Sequence, residues 1–399
     1  MRESFGALRE REFRLLFTGQ LISLLGDSFT SVALAFAVLS LGSATSLGLV
    51  FTARSIPLVG FLLVGGVFAD RLPRRTVMLV ADVTRMGCQA GTAALVLTHT
   101  GRIWEIAVLQ AVSGAATAFF NPASTGLTPM TVSEELLQQA NALRGISMSG
   151  AGLVGLALGG LVVTAAGPGW ALAVDAATFG ASALFLSRLR LPPHVKLAPQ
   201  SFLSDLRDGW REFTARTWVW VIVIAASLGN MFTSFFAVLG ALVSKESLGG
   251  ALAWTLILVG MSVGSLGGGF IALRVRVRRP LLFGASLVSL VGLPLALLAL
   301  RLPALVVAAG AVLAGGGNMV FNSLWETTLQ QRIPRASLSR VSAYDWFGSL
   351  AFQPLGLAIA GPLAAGLGLS TTLWIAFAGT LVVSGMCLAT PSVRQLESS

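Results

Sequence analysis

Twelve apolar stretches divide the 399-residue sequence, and each is close to the roughly 20 residues that a helix needs to cross a bilayer. They run near 14–40, 47–69, 77–98, 103–121, 143–166, 170–188, 217–242, 251–273, 280–300, 303–325, 341–366 and 370–390. Only 11% of the residues are charged, against about 25% in a soluble domain. Backbone inside lipid must satisfy its own hydrogen bonds, and the residue alternation of a membrane barrel is missing, so the stretches are predicted to be helices. The predicted fold class is an all-α membrane protein with twelve transmembrane helices.

The basic residues of the connecting segments predict the orientation. If the first residues are placed in the cytoplasm, the outer connections contain only Arg102, Lys245 and Arg301, and the arginine-rich connections face inward. Arginine and lysine favour the cytoplasmic side of membrane proteins. Both termini are therefore predicted to be cytoplasmic. This orientation also explains the net charge of +10 without nucleic-acid binding.

The longest polar break, 189–216, separates six predicted spans from six. It predicts an N-terminal six-helix bundle over 1–188, a cytoplasmic linker over 189–216 and a C-terminal six-helix bundle over 217–399. Within the linker, 201–216 reads SFLSDLRDGWREFTAR, and its large apolar residues recur at three- and four-residue spacing between charges. This pattern indicates an amphipathic helix on the inner membrane surface.

The two halves of the sequence resemble each other at an offset of about 200 residues, which is typical of a duplicated bundle. GGVFADRLPRR at 65–75 and GGGFIALRVRVRRP at 267–280 each follow the second span of their half. FFNPASTGLTPM at 119–130 and VFNSLWETTLQQ at 320–331 each follow the fourth span. Two bundles in parallel repeat are typical of transporters that work by alternating access.

One loop carries a more specific resemblance. Residues 66–75, GVFADRLPRR, resemble the signature G-x-x-x-D-R-x-G-R-R of the major facilitator superfamily, with Pro73 in place of the second glycine. The resemblance implies the major facilitator fold and an inner gate formed by Gly66, Asp70, Arg71, Arg74 and Arg75, in which Asp70 faces the start of helix 11. A carboxylate is favoured at that position because a helix N-terminus is partly positive. Arg74 and Arg75 also have a simpler interpretation as basic residues that mark the inner side.

Further segments indicate a branch of that superfamily. The fifth span at 151–160, AGLVGLALGG, is similar to the antiporter motif of proton-driven drug exporters, with Leu156 in place of proline; ordinary helix packing through small residues is the alternative. QLISLLGDSF at 20–29, ARSIP at 53–57 and QQANAL at 138–143 resemble enterobactin exporters and macrolide-efflux proteins. The resemblance implies a monomeric, multi-pass exporter of the bacterial cytoplasmic membrane that uses a proton gradient and no other cofactor.

Ionisable residues inside apolar spans are costly and therefore functional candidates. Asp27 lies about 20 Å along helix 1, at ~1.5 Å per residue, and is the first candidate for proton coupling, with Arg54 as its partner. A structural hydrogen-bonding role is the alternative. Asp82 and Arg85 are expected to pair on one face of helix 3, in a structural role, and Arg144 and Asp175 to be anchors at the membrane interfaces. Glu326 and Asp345 are expected to pair with Arg332, Arg335 or Arg340 near the inner side, with surface solvation as the alternative.

The substrate cavity is predicted from the helices that line the pathway in the resembling family. It comprises Gln110 and Phe119 on helix 4, Asn230, Met231, Phe232, Phe235 and Phe236 on helix 7, and Asn318, Phe321 and Asn322 on helix 10. Gln110 stands where the family usually has an arginine. A cavity rich in Phe and Met, with few polar groups, favours bulky amphipathic or lipophilic compounds of the drug, macrolide or siderophore type.

The remaining alternatives follow from what the sequence lacks. With two histidines, two cysteines and no GxxxxGK[ST] loop, it predicts no catalytic residues, no metal site and no ATP hydrolysis within the chain. An importer or a lipid transporter of the same fold stays open. A membrane-embedded enzyme is a more distant alternative, because it would need His, Asp or Cys clustered around a cavity.

Overall fold

The computed structural model describes residues 3–191, 202–274 and 277–396. Within these ranges the side chains of 63–71, 335–337 and 339–340, among others, lie outside the description. All regular structure in the described residues is helical, which confirms the all-α prediction for this part of the chain. Two compact units are present, one comprising Met1–Gly42 and Ala53–Pro199, the other Ser43–Thr52 and Gln200–Ser399.

The first unit contains helices α1 to α6, preceded by a 3₁₀ helix, Glu3–Arg9. Their bounds are α1 Arg11–Leu41, α2 Ala44–Arg71, α3 Arg74–Leu97, α4 Ile103–Leu127, α5 Leu137–Ala166 and α6 Pro168–Ser187, the first part of α2 being grouped with the second unit. Helix α1 packs on α5 and α6, and α3 packs on α4 and α6.

The second unit contains helices α7 to α14. Their bounds are α7 Phe202–Thr214, α8 Thr217–Leu248, α9 Ala251–Ala272, α10 Pro280–Ala299, α11 Ala304–Arg332, α12 Arg335–Leu350, α13 Gln353–Leu367 and α14 Leu369–Ala389. Gly167 between α5 and α6 and Gly368 between α13 and α14 have φ of 91° and 87°. Positive φ is available to glycine at little cost, so each glycine allows a helix to begin directly after the previous one ends.

Eleven helical segments in the described residues are long and apolar enough to cross a membrane. They cover eleven of the twelve predicted spans, with α12 and α13 forming one segment, Val341–Leu367. The remaining span, near 77–98, coincides with α3, which is helical but also carries Arg74, Arg75, Asp82 and Arg85. Twelve membrane crossings therefore stay a prediction, as does the orientation of the termini.

Helices α9 and α11 approach closely along a line of glycines. Gly260, Gly264 and Gly268 recur every four residues on one face of α9. A Cβ added at these positions would meet the backbone carbonyl oxygens of Ala308, Val312 and Gly316 on α11. Small residues allow this approach and are typical of helix contacts in lipid. The α9–α11 seam is therefore a close backbone contact between two helices of this unit.

The amphipathic helix predicted in the linker corresponds to α7, and Phe213 on its apolar face packs on protein. Phe213 is 6% exposed, and its ring centroid lies 5.9 Å from that of Tyr344 on α12. Trp210 stacks on Phe213 at 5.8 Å and is 54% exposed. The burial of Phe213 removes apolar surface from solvent, so α7 belongs to the packed core of the second unit at this end.

Candidate functional site

A buried hydrogen-bond network joins α1, α3, α4 and α6 of the first unit. Asp175 on α6 is fully buried, and its Oδ2 accepts hydrogen bonds from Thr30 Oγ1 and Gln89 Nε2, each at 2.6 Å. Gln110 Nε2 donates to Gln89 Oε1 at 2.9 Å. Among the described side chains, no arginine or lysine forms an ion pair with Asp175. Its complete burial contradicts the expected anchor role at a membrane interface and places a carboxylate with only neutral donors inside the bundle.

Asp27 lies on α1 next to this network. Arg54 Nη2 is 3.4 Å from Asp27 Oδ1, and the two side chains are 26% and 31% exposed, respectively. The preceding residue, Gly26, packs directly on α6, since an added Cβ would lie 2.7 Å from Asp175 Oδ1. A single long contact between half-exposed groups is a loose ion pair. The first unit thus holds a partly exposed carboxylate and a buried one in neighbouring positions.

The Asp82–Arg85 pair on α3 is buried, with 0% of Asp82 and 3% of Arg85 exposed. Ser182 Oγ donates to Asp82 Oδ2 at 2.6 Å. The guanidinium carbon of Arg85 lies 4.2 Å from the ring centroid of Phe120 and 4.3 Å from that of Phe179. Such cation–π contacts stabilise a desolvated guanidinium. This cluster joins α3, α4 and α6, so its first effect is on folding.

Arg144 ties α5 to α4 through hydroxyl groups. Its Nη1 donates to Thr128 Oγ1 at 2.6 Å, and its Nη2 donates to Ser124 Oγ at 3.0 Å. Gln20 Nε2 on α1 donates to the same Ser124 oxygen at 2.6 Å. No carboxylate of the described side chains pairs with Arg144. The guanidinium is therefore hydrogen-bonded by neutral groups that link three helices.

The two last arginines of the signature loop bind the ends of helices in the first unit. Arg74 Nη1 donates to the carbonyl of Gly126 near the end of α4 at 2.5 Å. Arg75 donates to the carbonyls of Leu186, at 2.9 Å, and Ser187, the last residues of α6. Carbonyls at a helix C-terminus have no partner within the helix and favour positive charge. The side chains of Gly66, Asp70 and Arg71 lie outside the described part of the structure, so the gate contact of Asp70 stays a prediction.

The second unit encloses a cavity of about 590 Å³. Its walls come from α8, α9, α10, α11, α12 and α14, and its lining is mainly aliphatic and aromatic. The polar and aromatic residues that line it include Asn230, Phe236, Asn318, Phe321, Asn322, Trp325, Glu326, Gln330, Asp345 and Trp346. A volume of this size is within the usual range of about 300–1,000 Å³ for small-molecule sites.

Two carboxylates face this cavity. Asp345 Oδ2 accepts a hydrogen bond from Trp325 Nε1 at 3.0 Å, and Ser349 Oγ lies 3.3 Å from Asp345 Oδ1. Glu326 is exposed. Both were candidates for ion pairs with arginines, and among the described side chains no arginine forms an ion pair with either one. The expected partners Arg335 and Arg340 have side chains outside the description.

Polar side chains of α8 satisfy the backbone where the predicted eleventh span breaks. The helical pattern is interrupted at Ala351–Phe352, between α12 and α13. Asn230 Nδ2 donates to the Ser349 carbonyl at 2.9 Å, and the Phe352 amide donates to Ser227 Oγ at 3.2 Å. Backbone groups freed inside an apolar bundle are costly unless such partners exist.

The predicted cavity residues divide into two groups. Asn230, Phe236, Asn318, Phe321 and Asn322 line the cavity of the second unit. The other five do not line this cavity. Gln110 is buried in the Asp175 network, and the ring centroid of Phe119 lies 5.7 Å from that of Phe61. Phe235 is 1% exposed in the core, Phe232 packs on Gly379, and Met231 is absent from the lining. Sequence reasoning missed the lining from α10, α12 and α14, including Trp346 and Cys387. These helices are apolar on most sides, so no periodicity identifies the face that lines the cavity.

Comparison with known proteins relates this geometry to transporters. The sequence is 28% identical to the multidrug efflux pump Tap of Mycobacterium tuberculosis over 412 residues, covering 96% of this chain and 94% of the pump. It is also 28% identical to the enterobactin exporter EntS of Escherichia coli O1:K1 over 366 residues, covering 88% of this chain and 85% of the exporter.

Solved structures show the same fold. The nucleoside transporter NupG superimposes with a TM-score of 0.75 at 14% identity, over 94% of this chain and 98% of that one. A bacterial homolog of the human lysosomal transporter Spinster gives 0.72 at 13% identity, with 96% of each chain covered. The family described as the Major Facilitator Superfamily matches residues 16–352, which include helices of both units. This match extends over most of the chain, so the protein belongs to the major facilitator superfamily and is a multi-pass membrane transporter rather than an enzyme.

Proposed function

We propose that the protein is a proton-coupled exporter of bulky amphipathic or lipophilic small molecules. The observation that carries the proposal is the cavity of about 590 Å³ with its aliphatic and aromatic lining. Such a lining favours apolar surface, whereas sugars need many hydrogen-bonding groups. The similarity to Tap and EntS supports export as the direction. The proposal includes twelve membrane crossings, cytoplasmic termini, the bacterial cytoplasmic membrane and a monomeric transporter.

Asp27 is the proposed proton-coupling residue. In its ionised form it compensates the charge of Arg54 at 3.4 Å. When its carboxylate takes up a proton, the ion pair is lost and Arg54 has no counter-charge at that position. The two protonation states of Asp27 therefore stabilise different local arrangements. A proton that binds one conformation more tightly than the other shifts the equilibrium by the difference in its binding free energy. The partial exposure of Asp27 gives protons access to it.

Asp175 is the competing candidate within the same unit. It is completely buried and accepts hydrogen bonds from Thr30 and Gln89. An amide at this position keeps one acceptor oxygen for these donors. If Asp27 carries the coupling, Asp175→Asn retains gradient-driven transport, since the hydrogen-bond network survives.

The test is transport into or out of proteoliposomes under an imposed pH gradient, with a fluorescent lipophilic cation as substrate. Asp27→Asn is expected to reduce gradient-driven transport to the rate of protein-free liposomes and to leave substrate binding unchanged, because the amide cannot release a proton. Glu135→Gln, which removes an exposed carboxylate of the same unit, is the matched control and is expected to transport normally.

Two outcomes would contradict the proposal. Equal gradient-driven transport by wild type and Asp27→Asn would remove Asp27 from the coupling mechanism, and its loss in Asp175→Asn instead would assign that role to Asp175. Accumulation of substrate on the side opposite to that expected for export would favour the importer of the same fold. The lipid transporter is tested in the same liposomes with a fluorescent lysophospholipid.

A further inference from the structure

We propose that the cavity of the second unit is a charge-selective binding site for a lipophilic organic cation, with Asp345 and Glu326 as its negative groups. This inference rests on the proposed function, because it names the class of substrate that such an exporter would carry. It goes further in naming the negative groups of the second unit that would contact this substrate, none of which belongs to the proposed coupling mechanism.

The first argument is charge. The cavity lining contains two carboxylates and, among the described residues, no arginine, lysine or histidine. Asp345 is held in position by Trp325 and Ser349, whose indole N–H and hydroxyl are neutral. These groups fix the orientation of the carboxylate without cancelling its charge. Because a carboxylate inside a membrane protein is costly without a positive partner, a cationic ligand is favoured over an anionic one.

The second argument is the arrangement of aromatic rings around these carboxylates. Trp325, which is 5% exposed, donates a hydrogen bond to Asp345. Trp346 directly follows Asp345 on α12 and is 60% exposed. Phe236 and Phe321 line the same cavity. Aromatic faces attract cations, tryptophan most strongly. A diffuse organic cation can therefore contact apolar surface, ring faces and a carboxylate at once.

The third argument is the chemistry of the remaining polar groups. Asn230 donates to the Ser349 carbonyl, and Asn322 Nδ2 donates to the carbonyl of Asn318. Each of these two amides therefore has one of its two N–H groups bound to a backbone oxygen. The polar groups that line the cavity are thus neutral amides and hydroxyls beside two carboxylates, with no basic side chain among the described residues, which disfavours phosphate, carboxylate or catecholate ligands.

The test compares two probes of the same shape and opposite charge, tetraphenylphosphonium and tetraphenylborate. Equilibrium binding is measured on the purified full-length chain in nanodiscs without a pH gradient. Asp345→Asn is expected to weaken tetraphenylphosphonium binding by about tenfold, the effect of one lost charge interaction near a protein surface. Binding of tetraphenylborate is expected to stay equal or to become tighter. Glu326→Gln is expected to act in the same direction.

Matched variants show where the probes bind. Glu246→Gln removes an exposed carboxylate of the same unit outside the cavity and is expected to change neither affinity. Gly229 lines the cavity and has no atom within 4 Å of an added Cβ, so Gly229→Phe is expected to fill the site and abolish tetraphenylphosphonium binding. Gly385 on α14 is equally open but does not line the cavity, and Gly385→Phe is expected to bind normally. Each affinity is expressed relative to the Glu246→Gln variant, which cancels partition of the probes into lipid.

Three results would overturn the inference: no tetraphenylphosphonium binding to the wild type, equal losses for both probes in Asp345→Asn, or retained binding in Gly229→Phe. Because the measurement uses no gradient, it is independent of proton coupling. Charge-selective binding without gradient-driven transport would support the site and contradict the proposed function. If neutral or anionic compounds are transported and Asp345→Asn changes nothing, the proposed function is supported and the cation site is contradicted.

Discussion

The Gly264→Ala variant is expected to lose about 3 kcal/mol of folding stability, the upper part of the range for overpacked cores. The added methyl would overlap the backbone carbonyl oxygen of Val312 in the α9–α11 seam. A side chain can change rotamer to make room, but a carbonyl in a regular helix can move only with its helix. The two helices must therefore separate, and contacts along the whole seam weaken. Thermal unfolding of the purified protein, followed by tryptophan fluorescence, measures the loss.

Gly267→Ala is the control for this prediction. Gly267 lies on the same helix, and a Cβ added there would have no atom within 4 Å. Alanine is a better helix former than glycine by about 1 kcal/mol, so this variant is expected to unfold at the same temperature as wild type or higher. Equal destabilisation of both variants would show that glycine is needed in α9 for a reason other than contact with α11.

Asp82→Leu is expected to have the second large effect, a loss of about 3–5 kcal/mol, the cost of leaving one partner of a buried ion pair unpaired. Arg85 would keep its place between the rings of Phe120 and Phe179 with no counter-charge. Replacing both partners, in Asp82→Leu with Arg85→Met, removes the uncompensated charge and is expected to recover most of the stability. The readout is again thermal unfolding of the full chain.

The exposed pair Arg216–Glu212 provides the comparison. Its side chains are 25% and 39% exposed, and loss of such a pair costs about 0–1 kcal/mol. Glu212→Gln is therefore expected to leave the unfolding temperature nearly unchanged. If Asp82→Leu were equally mild, water or a rearranged side chain would have to solvate Arg85, and the buried pair would have no special weight in folding.

The sequence predicts the features of the structure that depend on residues close together in the chain. Long apolar spans predict helices because lipid leaves the backbone no other choice, and the described residues are helical where the spans lie. Asp82 and Arg85 are three residues apart on one helix, so their spacing alone predicts the contact. The break within the eleventh span at Ala351–Phe352 was not predicted, because its partners Asn230 and Ser227 are more than a hundred residues away.

The polar network of the first unit shows where sequence reasoning ends. For Asp175 the sequence predicts an anchor near a membrane interface, because it shows only the depth of this residue in helix 6. Its partners Thr30 and Gln89 are 145 and 86 residues distant in sequence. For Gln110 the family resemblance predicts a place in the cavity, but its side-chain nitrogen donates to Gln89 within the bundle. Burial and pairing across helices depend on which faces meet, and uniformly apolar helices do not reveal this.

The hydrogen bonds between α8 and the broken span affect how mutational scans of the cavity are interpreted. Asn230 lines the cavity, but its amide donor is already committed to the Ser349 carbonyl. Alanine at this position would free that carbonyl and loosen the segment that carries Asp345. A fall in transport after Asn230→Ala would then report a misplaced carboxylate, four residues before Ser349, rather than a missing contact with the transported molecule. Loss of activity across many unrelated compounds, with no change in their rank order, is the signature of such an indirect effect.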